Sequence, residues 1–308
     1  MNELDDIRLV FVLGMHRSGT SAITRGLLAL GVDLGNQLME SIPEVNPKGF
    51  WEDMDFYRLN EEMLHVLGTD WNYSTPLTAE QITTLLAQGF LQRGMELLQN
   101  KIAQASLFGF KDPRMCRLLA FWQVVLAALG DDTAAYYLLA LRNPASIADS
   151  LQKRDGLDRT QSYLMWLSYT LNAVALTMGR RRVLVEFDRM LQTPMLQLQR
   201  IAQAFDLSVD KYNAAQRYAN EFLDESLCHS YHRLVDLAND TACPALVSTV
   251  YRVLRKVAAD QLDWNTPEFQ RQLMRWQKQL EQWRPLMACI DRLQQRSNFL
   301  SNQPSEIF

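Results

Sequence analysis

The chain has 308 residues, 48% hydrophobic and 21% charged, so it can bury a large core and is not expected to be disordered. The formal net charge is −4, which argues against a basic nucleic-acid-binding protein. A short basic run, Arg180-Arg181-Arg182, precedes an apolar stretch, and we interpret it as the surface-exposed start of a strand.

The sequence also predicts where the protein resides. Its start, MNELDDIRLV, is acidic and lacks the basic segment of a secretory signal, and no apolar stretch is long enough to span a bilayer. Four cysteines without CxxC spacing (Cys116, Cys228, Cys243 and Cys289) are typical of free thiols in a reducing compartment. We therefore expect a cytoplasmic protein.

The first predicted elements form a strand–loop–helix unit. Arg8 to Leu13 is an apolar run of the kind that is buried on both faces of a parallel sheet, and Gly14 ends it. A helix is predicted from about Gly19 to Leu30, with Gly31 as its C-terminal cap. The segment Ser41 to Trp51, rich in proline and glycine, is predicted to be a loop.

Helices and strands alternate after this unit. The predicted helices are Asp53–Leu67, Thr78–Ala103, Met115–Leu129, Pro144–Arg154, Thr160–Met178 and further helices through about Ala219. The predicted strands are Leu107–Phe110, Ala135–Leu141 and Arg182–Phe187. This alternation predicts an α/β fold with a parallel sheet and right-handed crossovers.

The C-terminal part of the chain differs because it shows no strand-like run. We predict one α/β domain over residues 1–220 and a helical extension over residues 221–308. Apolar residues recur there at helical spacing, and Pro285 must kink or split the helix: Leu273, Trp276, Leu280, Trp283, Met287 and Ile290. We favour packing of this seam on the chain's own domain, and the alternative is a homodimer or partner helix.

A phosphate-binding loop is predicted in the stretch VLGMHRSGTSAIT, between the first strand and helix. A helix N-terminus offers free backbone N–H groups, and Gly14 and Gly19 let the backbone curve closely around an anion. Arg17 adds a fixed positive charge. The loop also supplies the hydroxyl groups of Ser18, Thr20 and Ser21. An ordinary turn with one capping hydroxyl would not need all of these residues.

The loop is not a Walker A motif. The nucleotide-hydrolase form has a lysine where this chain has Thr20, and it relies on an aspartate from another strand to support magnesium. The later predicted strands end in Arg142 and carry Glu186 instead. Hydrolysis of Mg·ATP is therefore disfavoured.

The residues Arg17 to Ser21 resemble the RSGT loop of the PAPS-dependent sulfotransferases, most of all the bacterial branch and the protein-tyrosine sulfotransferases. PAPS is 3′-phosphoadenosine-5′-phosphosulfate, and the resemblance implies that this loop grips its 5′-phosphosulfate. It also implies a P-loop-like three-layer fold, with a central parallel sheet flanked by helices. No metal is required, and the product nucleotide is 3′-phosphoadenosine-5′-phosphate (PAP).

Further segments carry the same resemblance, which extends over about residues 7 to 206. Arg142 and Ser150 have the eight-residue separation of the family's 3′-phosphate site, and Arg142 would lie at the carboxyl end of a buried strand, where ligands bind in parallel sheets. FGFKDPRMCRLLAFW resembles a KDP element at the end of a central strand. VLVEFDRMLQTP resembles the segment that closes the family's core.

The chain departs from the cytosolic small-molecule branch of that family. Ala22 stands where that branch has a tryptophan that stacks on adenine, and neither its C-terminal RKG segment nor its K-x-H element is present. The residues that contact adenine are therefore unassigned.

The resemblance suggests catalytic roles. Arg17 and Lys111 would stabilise the charge that develops on the leaving phosphate. A carboxylate must take the acceptor proton, and we select Glu52, beside Phe50 and Trp51, which would raise its pKa, with Asp112 second. Glu40 and Glu44 are weaker candidates.

The histidines are less specific. His16 lies inside the loop and suits a phosphate contact or a structural role equally. Cys228, His229 and His232 have ordinary helical spacing, so we do not interpret them as a metal site.

The acceptor hydroxyl is first expected on a carbohydrate and second on a tyrosine or small phenol, from the family resemblance only. Two other functions compete with this interpretation. One is a P-loop kinase of a small molecule, and the other is a non-catalytic nucleotide-binding protein.

Overall fold

The computed structural model describes residues 7–42, 46–130, 133–209, 214–223 and 232–301, the last five for the backbone only. Its sheet contains strands β1 (Ile7–Leu13), β2 (Leu107–Lys111), β3 (Thr133–Leu141) and β4 (Arg182–Glu186) in the order β2-β1-β3-β4. All neighbouring pairs are parallel. The predicted α/β class with a parallel sheet is confirmed. The strand that leads into the KDP element was expected to be central, but β2 is an edge strand of the described sheet.

Helices connect the strands and follow them. The helices of the described residues are α1 (Thr20–Leu27), α2 (Met54–Val66), α3 (Ala79–Ala87), α4 (Phe90–Ile102), α5 (Met115–Leu129), α6 (Pro144–Asp155), α7 (Arg159–Leu176), α8 (Phe187–Gln192), α9 (Pro194–Phe205), α10 (Ala214–Arg217), α11 (Leu234–Asn239), α12 (Ala245–Ala258), α13 (Pro267–Gln282) and α14 (Arg284–Ser301). The predicted helix from Thr78 to Ala103 is divided at Gly89, whose φ of 83° ends regular helical geometry. Pro285 likewise separates α13 from α14.

The sheet lies between two hydrophobic cores, because alternate residues of a strand face opposite sides. Val10 and Val12 pack in the core that contains α1 and α9. Leu9 and Phe11 pack in the larger core, which contains α5, α7 and the C-terminal helices. The apolar run of β1 is thus buried on both faces, and the structure has the three layers that the sequence predicts.

The C-terminal helices pack against this domain. Helix α12 lies against β4 and α7, and the Tyr251 hydroxyl donates to Glu186 Oε1 over 3.0 Å. Leu273, Trp276 and Met287 of the apolar seam are buried in the larger core. The boundary at residue 220 and the homodimer stay predictions.

The basic run before β4 is only partly on the surface. Arg182 is buried, and its guanidinium carbon lies 3.8 Å from the centre of the Trp264 ring. Its Nη1 donates to the Val174 carbonyl over 2.8 Å. The side chain therefore fastens β4 to the C-terminal part of the chain, contrary to the prediction of an exposed strand start.

None of the helices described here has the length and apolar character needed to cross a bilayer.

Candidate active site

A pocket of about 440 Å³ lies at the carboxyl ends of the strands, beside the start of α1. Its volume is within the usual range for small-molecule sites. The predicted site residues that line it are His16, Arg17, Gly19, Thr20, Ser21, Glu52, Lys111 and Arg142. Tertiary folding therefore brings both predicted phosphate-binding segments and the predicted base to one place.

The loop between β1 and α1 is shaped by two left-handed backbone positions. Arg17 has a φ of 65° and Gly19 a φ of 85°. A Cβ atom at Gly19 would lie 2.1 Å from the Phe187 ring, so this position requires glycine. No side chain caps α1, and the first-turn N–H groups that a helix cannot pair internally lie at the pocket. This arrangement suits an anion.

Two residues of the predicted loop shape it instead of lining the pocket. The Gly14 N–H donates to Cys116 Sγ over 3.0 Å. The Ser18 hydroxyl donates to the Met15 carbonyl over 2.6 Å, and the Ser18 amide points to the same carbonyl. Both donors are used inside the protein. The expectation that Gly14 and Ser18 bind phosphate directly is therefore replaced by a structural role for both.

Ser21 connects the loop with its surroundings. Its hydroxyl donates to the Phe50 carbonyl over 3.0 Å and accepts from Asn46 Nδ2 over 3.3 Å and from Lys111 Nζ over 3.4 Å. The Thr20 side chain is buried at the start of α1. Ser21 thus joins the phosphate loop to the segment that carries Glu52.

Arg17, Arg142 and Ser150 form one hydrogen-bonded group. Arg17 Nε donates to Ser150 Oγ over 2.7 Å, and Arg142 Nη1 donates to the Arg17 carbonyl over 2.8 Å. Burial, with the nearby charges of Arg154 and Arg142, lowers the pKa of Arg17 to about 10, so the group is still charged at neutral pH. Arg142 and Ser150, eight residues apart in the sequence, thus both contact Arg17 and lie close together in the structure. Ser150 itself does not line the pocket and instead orients Arg17.

Glu52 and Lys111 form a buried ion pair at the pocket. Lys111 Nζ donates to Glu52 Oε1 over 2.6 Å, and Lys111 and Glu52 are 2% and 6% exposed, respectively. Burial raises the pKa of Glu52; the positive charge of Lys111 opposes this effect and the negative charge of Asp112 adds to it. A carboxylate of this kind is a stronger base than an exposed one.

The segment around Glu52 is held in place by the beginning of α2. Trp51 adopts a left-handed φ of 57°, and Asp53 caps α2 by accepting from the Asp55 amide over 2.9 Å. Lys101 of α4 donates to Asp53 Oδ2 over 2.6 Å, and both are buried. The orientation of Glu52 is therefore fixed by its neighbour in the sequence.

Asp112 does not reach the pocket. It is fully buried, and its oxygens accept from Asn60 Nδ2 over 2.9 Å and from the Arg114 amide and Nη1 over 3.0 and 2.9 Å. This geometry corrects the prediction of Asp112 as a second base: it positions Arg114. Of the weaker candidates, Glu40 is exposed, and Glu44 lies outside the described residues.

Several pocket residues were not found from the sequence. They are Lys48, Tyr57, Arg114, Arg154, Phe187 and Phe222. Arg114 follows the KDP element directly and Phe187 lies in the segment VLVEFDRMLQTP, and those two positions were the available signals. The others lie in loops or helices without a motif.

His16 lies against Trp71, with 4.4 Å between ring centres. Its Nε2 atom is buried and has no partner among the described residues. Burial lowers the pKa of His16, and the charges of Arg114, Arg154, Lys111 and Arg17 lower it further, so the ring is neutral at pH 7. A neutral imidazole among cations can donate to or accept from a bound group but does not add charge.

The loop that carries Trp71 is fastened by residues from distant parts of the chain. The Tyr169 hydroxyl donates to the Trp71 carbonyl over 2.6 Å. Asp291 of α14 accepts from the Ser74 amide over 2.8 Å and from the Thr75 amide over 3.0 Å. Arg117 of α5 donates to backbone and hydroxyl oxygens of the same loop. The C-terminal helix thus helps to position one side of the pocket.

Two solved structures are similar to the chain at low identity. The sulfotransferase domain from the Synechococcus PCC 7002 olefin synthase is 18% identical, with a TM-score of 0.40 over 83% of this chain and 95% of that one. The sulfotransferase domain from the curacin biosynthetic pathway is 18% identical, with a TM-score of 0.38 over 88% of this chain and 96% of that one. No protein-family model matches the chain, and no curated protein is significantly similar to it.

The cysteine and histidine group near residue 230 is only partly described, because Cys228 and His229 lie outside the described residues. His232 Nε2 lies 2.5 Å from Asp149 Oδ2, next to Ser150 in sequence. His232 therefore fastens the start of the C-terminal helices to α6.

Proposed function

We propose that this protein is a sulfotransferase that takes a sulfuryl group from PAPS and transfers it to an acceptor hydroxyl. The observation that carries the proposal is the joining of two anion-binding positions at neighbouring strand ends. The first is the loop and α1 N-terminus after β1, and the second is Arg142 after β3, 2.8 Å from the Arg17 carbonyl. Two such positions suit a nucleotide phosphorylated on both its 5′ and 3′ sides.

The nucleotide would bind along the loop. The first-turn N–H groups of α1 would hold the 5′-phosphosulfate, and the Ser21 hydroxyl would join them by turning away from the Phe50 carbonyl. Arg142 would bind the 3′-phosphate by charge-assisted hydrogen bonds, and Ser150 would keep Arg17 in place. Phe187 and Phe222 line the same pocket and are our candidates for contact with adenine.

The Glu52–Lys111 pair suits an in-line transfer. Glu52 would accept the proton of the acceptor hydroxyl as the acceptor oxygen bonds to sulfur. The bond between sulfur and the bridging phosphate oxygen breaks, and the electron pair stays on PAP. Lys111 and Arg17 would stabilise that developing negative charge. Because the transition state of such a transfer is loose, position and charge matter more than covalent participation by the protein.

Nucleotide selectivity gives a direct test. PAP is expected to raise the melting temperature of the protein, whereas Mg·ATP is expected to have a much smaller effect because Thr20 replaces the Walker lysine. Stabilisation by Mg·ATP alone would favour the kinase instead. Stabilisation by PAP without sulfuryl transfer to any of a panel of sugars and phenols would favour a non-catalytic binding protein.

A further inference from the structure

The pocket contains more positive charge than the nucleotide positions use. Its basic side chains are Arg17, Lys48, Lys111, Arg114, Arg142 and Arg154, and its acidic side chains are Glu52 and Asp155. This excess occurs in a chain of net charge −4. The proposed function uses Arg17, Arg142 and Lys111, and Lys48 donates to the Phe222 carbonyl. Arg114 and Arg154 have no role in it.

Arg114 is rigidly held and has donor capacity left. Its Nε donates to Glu61 over 2.6 Å and its Nη1 to Asp112 over 2.9 Å, and its guanidinium lies 4.6 Å from the centre of the Tyr57 ring. Burial disfavours the charge, but Asp112, Glu61 and Glu52 outweigh it and raise the pKa of Arg114. No described residue pairs with Nη2. The guanidinium is therefore permanently charged and oriented before any ligand binds.

Arg154 is the second basic residue with donor capacity left. It lies in the last turn of α6, and its Nε donates to Asp155 over 2.7 Å. Its guanidinium carbon lies 5.4 Å from the centre of the Trp71 ring. Neither of its Nη atoms has a partner among the described residues. The edge of the guanidinium that can bind an oxyanion with two parallel hydrogen bonds is thus available.

The two arginines line the same pocket, and Arg154 lies against the Trp71 ring, which contacts His16. After burial, their charges are the largest influences that lower the pKa of His16, ahead of Lys111 and Arg17. His16 contacts Trp71 and lies next to Arg17 in the phosphate loop. Arg114 Nη1 also lies 3.9 Å from Oε2 of Glu52, the proposed base. An acceptor whose hydroxyl reaches Glu52 would therefore approach the transferred group beside Arg114.

We propose that the acceptor carries a carboxylate near its reacting hydroxyl, and that Arg154 and Arg114 bind this carboxylate. The inference rests on the proposed function and narrows its acceptor to hydroxy acids. The expected acceptors are an acidic sugar or a phenol with a carboxylate, in place of a neutral sugar or phenol. Trp71 forms the adjoining wall and supports Arg154 by a cation–π contact.

The test measures acceptor binding to the PAP complex, so it does not require the natural acceptor. The probes are glucuronate against glucose, and 4-hydroxybenzoate against 4-hydroxybenzamide, added to the wild-type protein saturated with PAP. Glucuronate and 4-hydroxybenzoate are expected to raise the melting temperature above that of the PAP complex. Glucose and 4-hydroxybenzamide are expected to leave it unchanged. Arg154→Gln is expected to weaken binding of the acids about tenfold or more. Arg154→Lys keeps the charge without the planar fork and is expected to be intermediate.

The matched control is Lys153→Gln, which removes an exposed positive charge one residue away. It is expected to leave acid binding unchanged. The inference is overturned if the neutral probes bind as well as the acids, if Arg154→Gln binds the acids normally, or if neither acid binds at about 10 mM, above the usual range of KM values. Absence of any stabilisation by PAP in the wild-type protein would instead reject the proposed function itself.

Discussion

The two sides of the pocket are built in different ways. We name the two sides after the ligands proposed for them. The nucleotide wall is formed by residues 16–22, with Arg142, at strand ends and a helix N-terminus, and Ser150 supports it from behind. The acceptor wall is formed by Trp71 with Arg114 and Arg154, and its loop, residues 69–76, is held by side chains from α5, α7 and α14. The walls meet at the His16–Trp71 contact and at the Glu52–Lys111 pair.

This difference indicates which parts of the site tolerate change. In the nucleotide wall, Gly19 and the Ser18 side chain set the backbone of the loop, whereas the Arg142 side chain comes from another strand end. Substitution of Arg142 is therefore expected mainly to remove a proposed ligand contact. The acceptor wall has little regular structure and depends on buried polar contacts. A substitution far from the pocket can therefore move it, and the following predictions separate the two walls.

The largest effect is expected at the junction, from Glu52→Gln. Loss of the proton acceptor should lower kcat about 10²- to 10⁴-fold, while stabilisation by PAP stays close to that of the wild type. Activity and PAP-dependent melting are measured on the same preparation, with the exposed Glu40→Gln as the control. Full activity of the Glu52→Gln variant would mean that another group takes the proton.

The substitution Arg142→Ala tests the nucleotide wall. Removal of its charge-assisted hydrogen bonds should weaken PAP binding by roughly 10- to 100-fold. Adenosine 5′-phosphosulfate, which lacks the 3′-phosphate, should lose much less affinity, and calorimetric titration of both ligands gives the comparison. An unchanged preference for the 3′-phosphorylated ligand would show that Arg142 does not bind that phosphate.

The substitution Asp291→Asn tests how the loop of the acceptor wall is anchored. The substitution places an amide donor against the Thr75 or Ser74 amide, and we expect a stability loss of about 1.5–3 kcal/mol. The acceptor KM should rise several-fold with little change in PAP binding. The matched control is Val250→Ala, which removes buried volume from α12 and should destabilise the protein without a change in acceptor KM. Equal kinetics for the two variants would contradict a role of Asp291 in positioning the wall.

The smallest expected effect is a shift of the acidic limb of the pH–rate profile to a pH above the usual pKa of a glutamate. Glu52 must be deprotonated to act as the base, so kcat/KM should fall as the pH decreases through its pKa. Because burial raises that pKa above 4.5, the acidic limb should lie above this value. The pH profile of kcat/KM measures it, because this ratio reports the pKa values of the ligand-free enzyme. An acidic limb at or below pH 4.5 would show that Glu52 is not the titrating base.

Two serines of the phosphate loop show which side-chain roles can be predicted from the sequence and which cannot. Gly19, Ser21 and Arg17 were expected at the anion site and do line the pocket. Ser18 carries the same functional group as Ser21, but its hydroxyl turns inward to Met15. Residue type and spacing cannot distinguish these two orientations, because they depend on the left-handed φ angles of the folded loop.

Asp112 shows the same limit for a carboxylate. Its position beside Lys111 made it a candidate base, and only the packing of Asn60 and Arg114 around it reveals a positioning role. Arg154 was missed because it does not lie in a motif. Its place in the pocket follows from the way its helix end approaches the loop that carries Trp71.

The sequence by itself determined the parallel α/β arrangement and the nucleotide wall. Apolar runs define buried strands, glycine and hydroxyl residues define the turn into a helix, and parallel strands bring their carboxyl ends to one edge of the sheet. Tertiary structure decided the Glu52–Lys111 pair and the anchoring of the acceptor wall by Asp291. These contacts join residues 59 and 217 positions apart, and such partners are selected by packing of the whole chain instead of by local pattern.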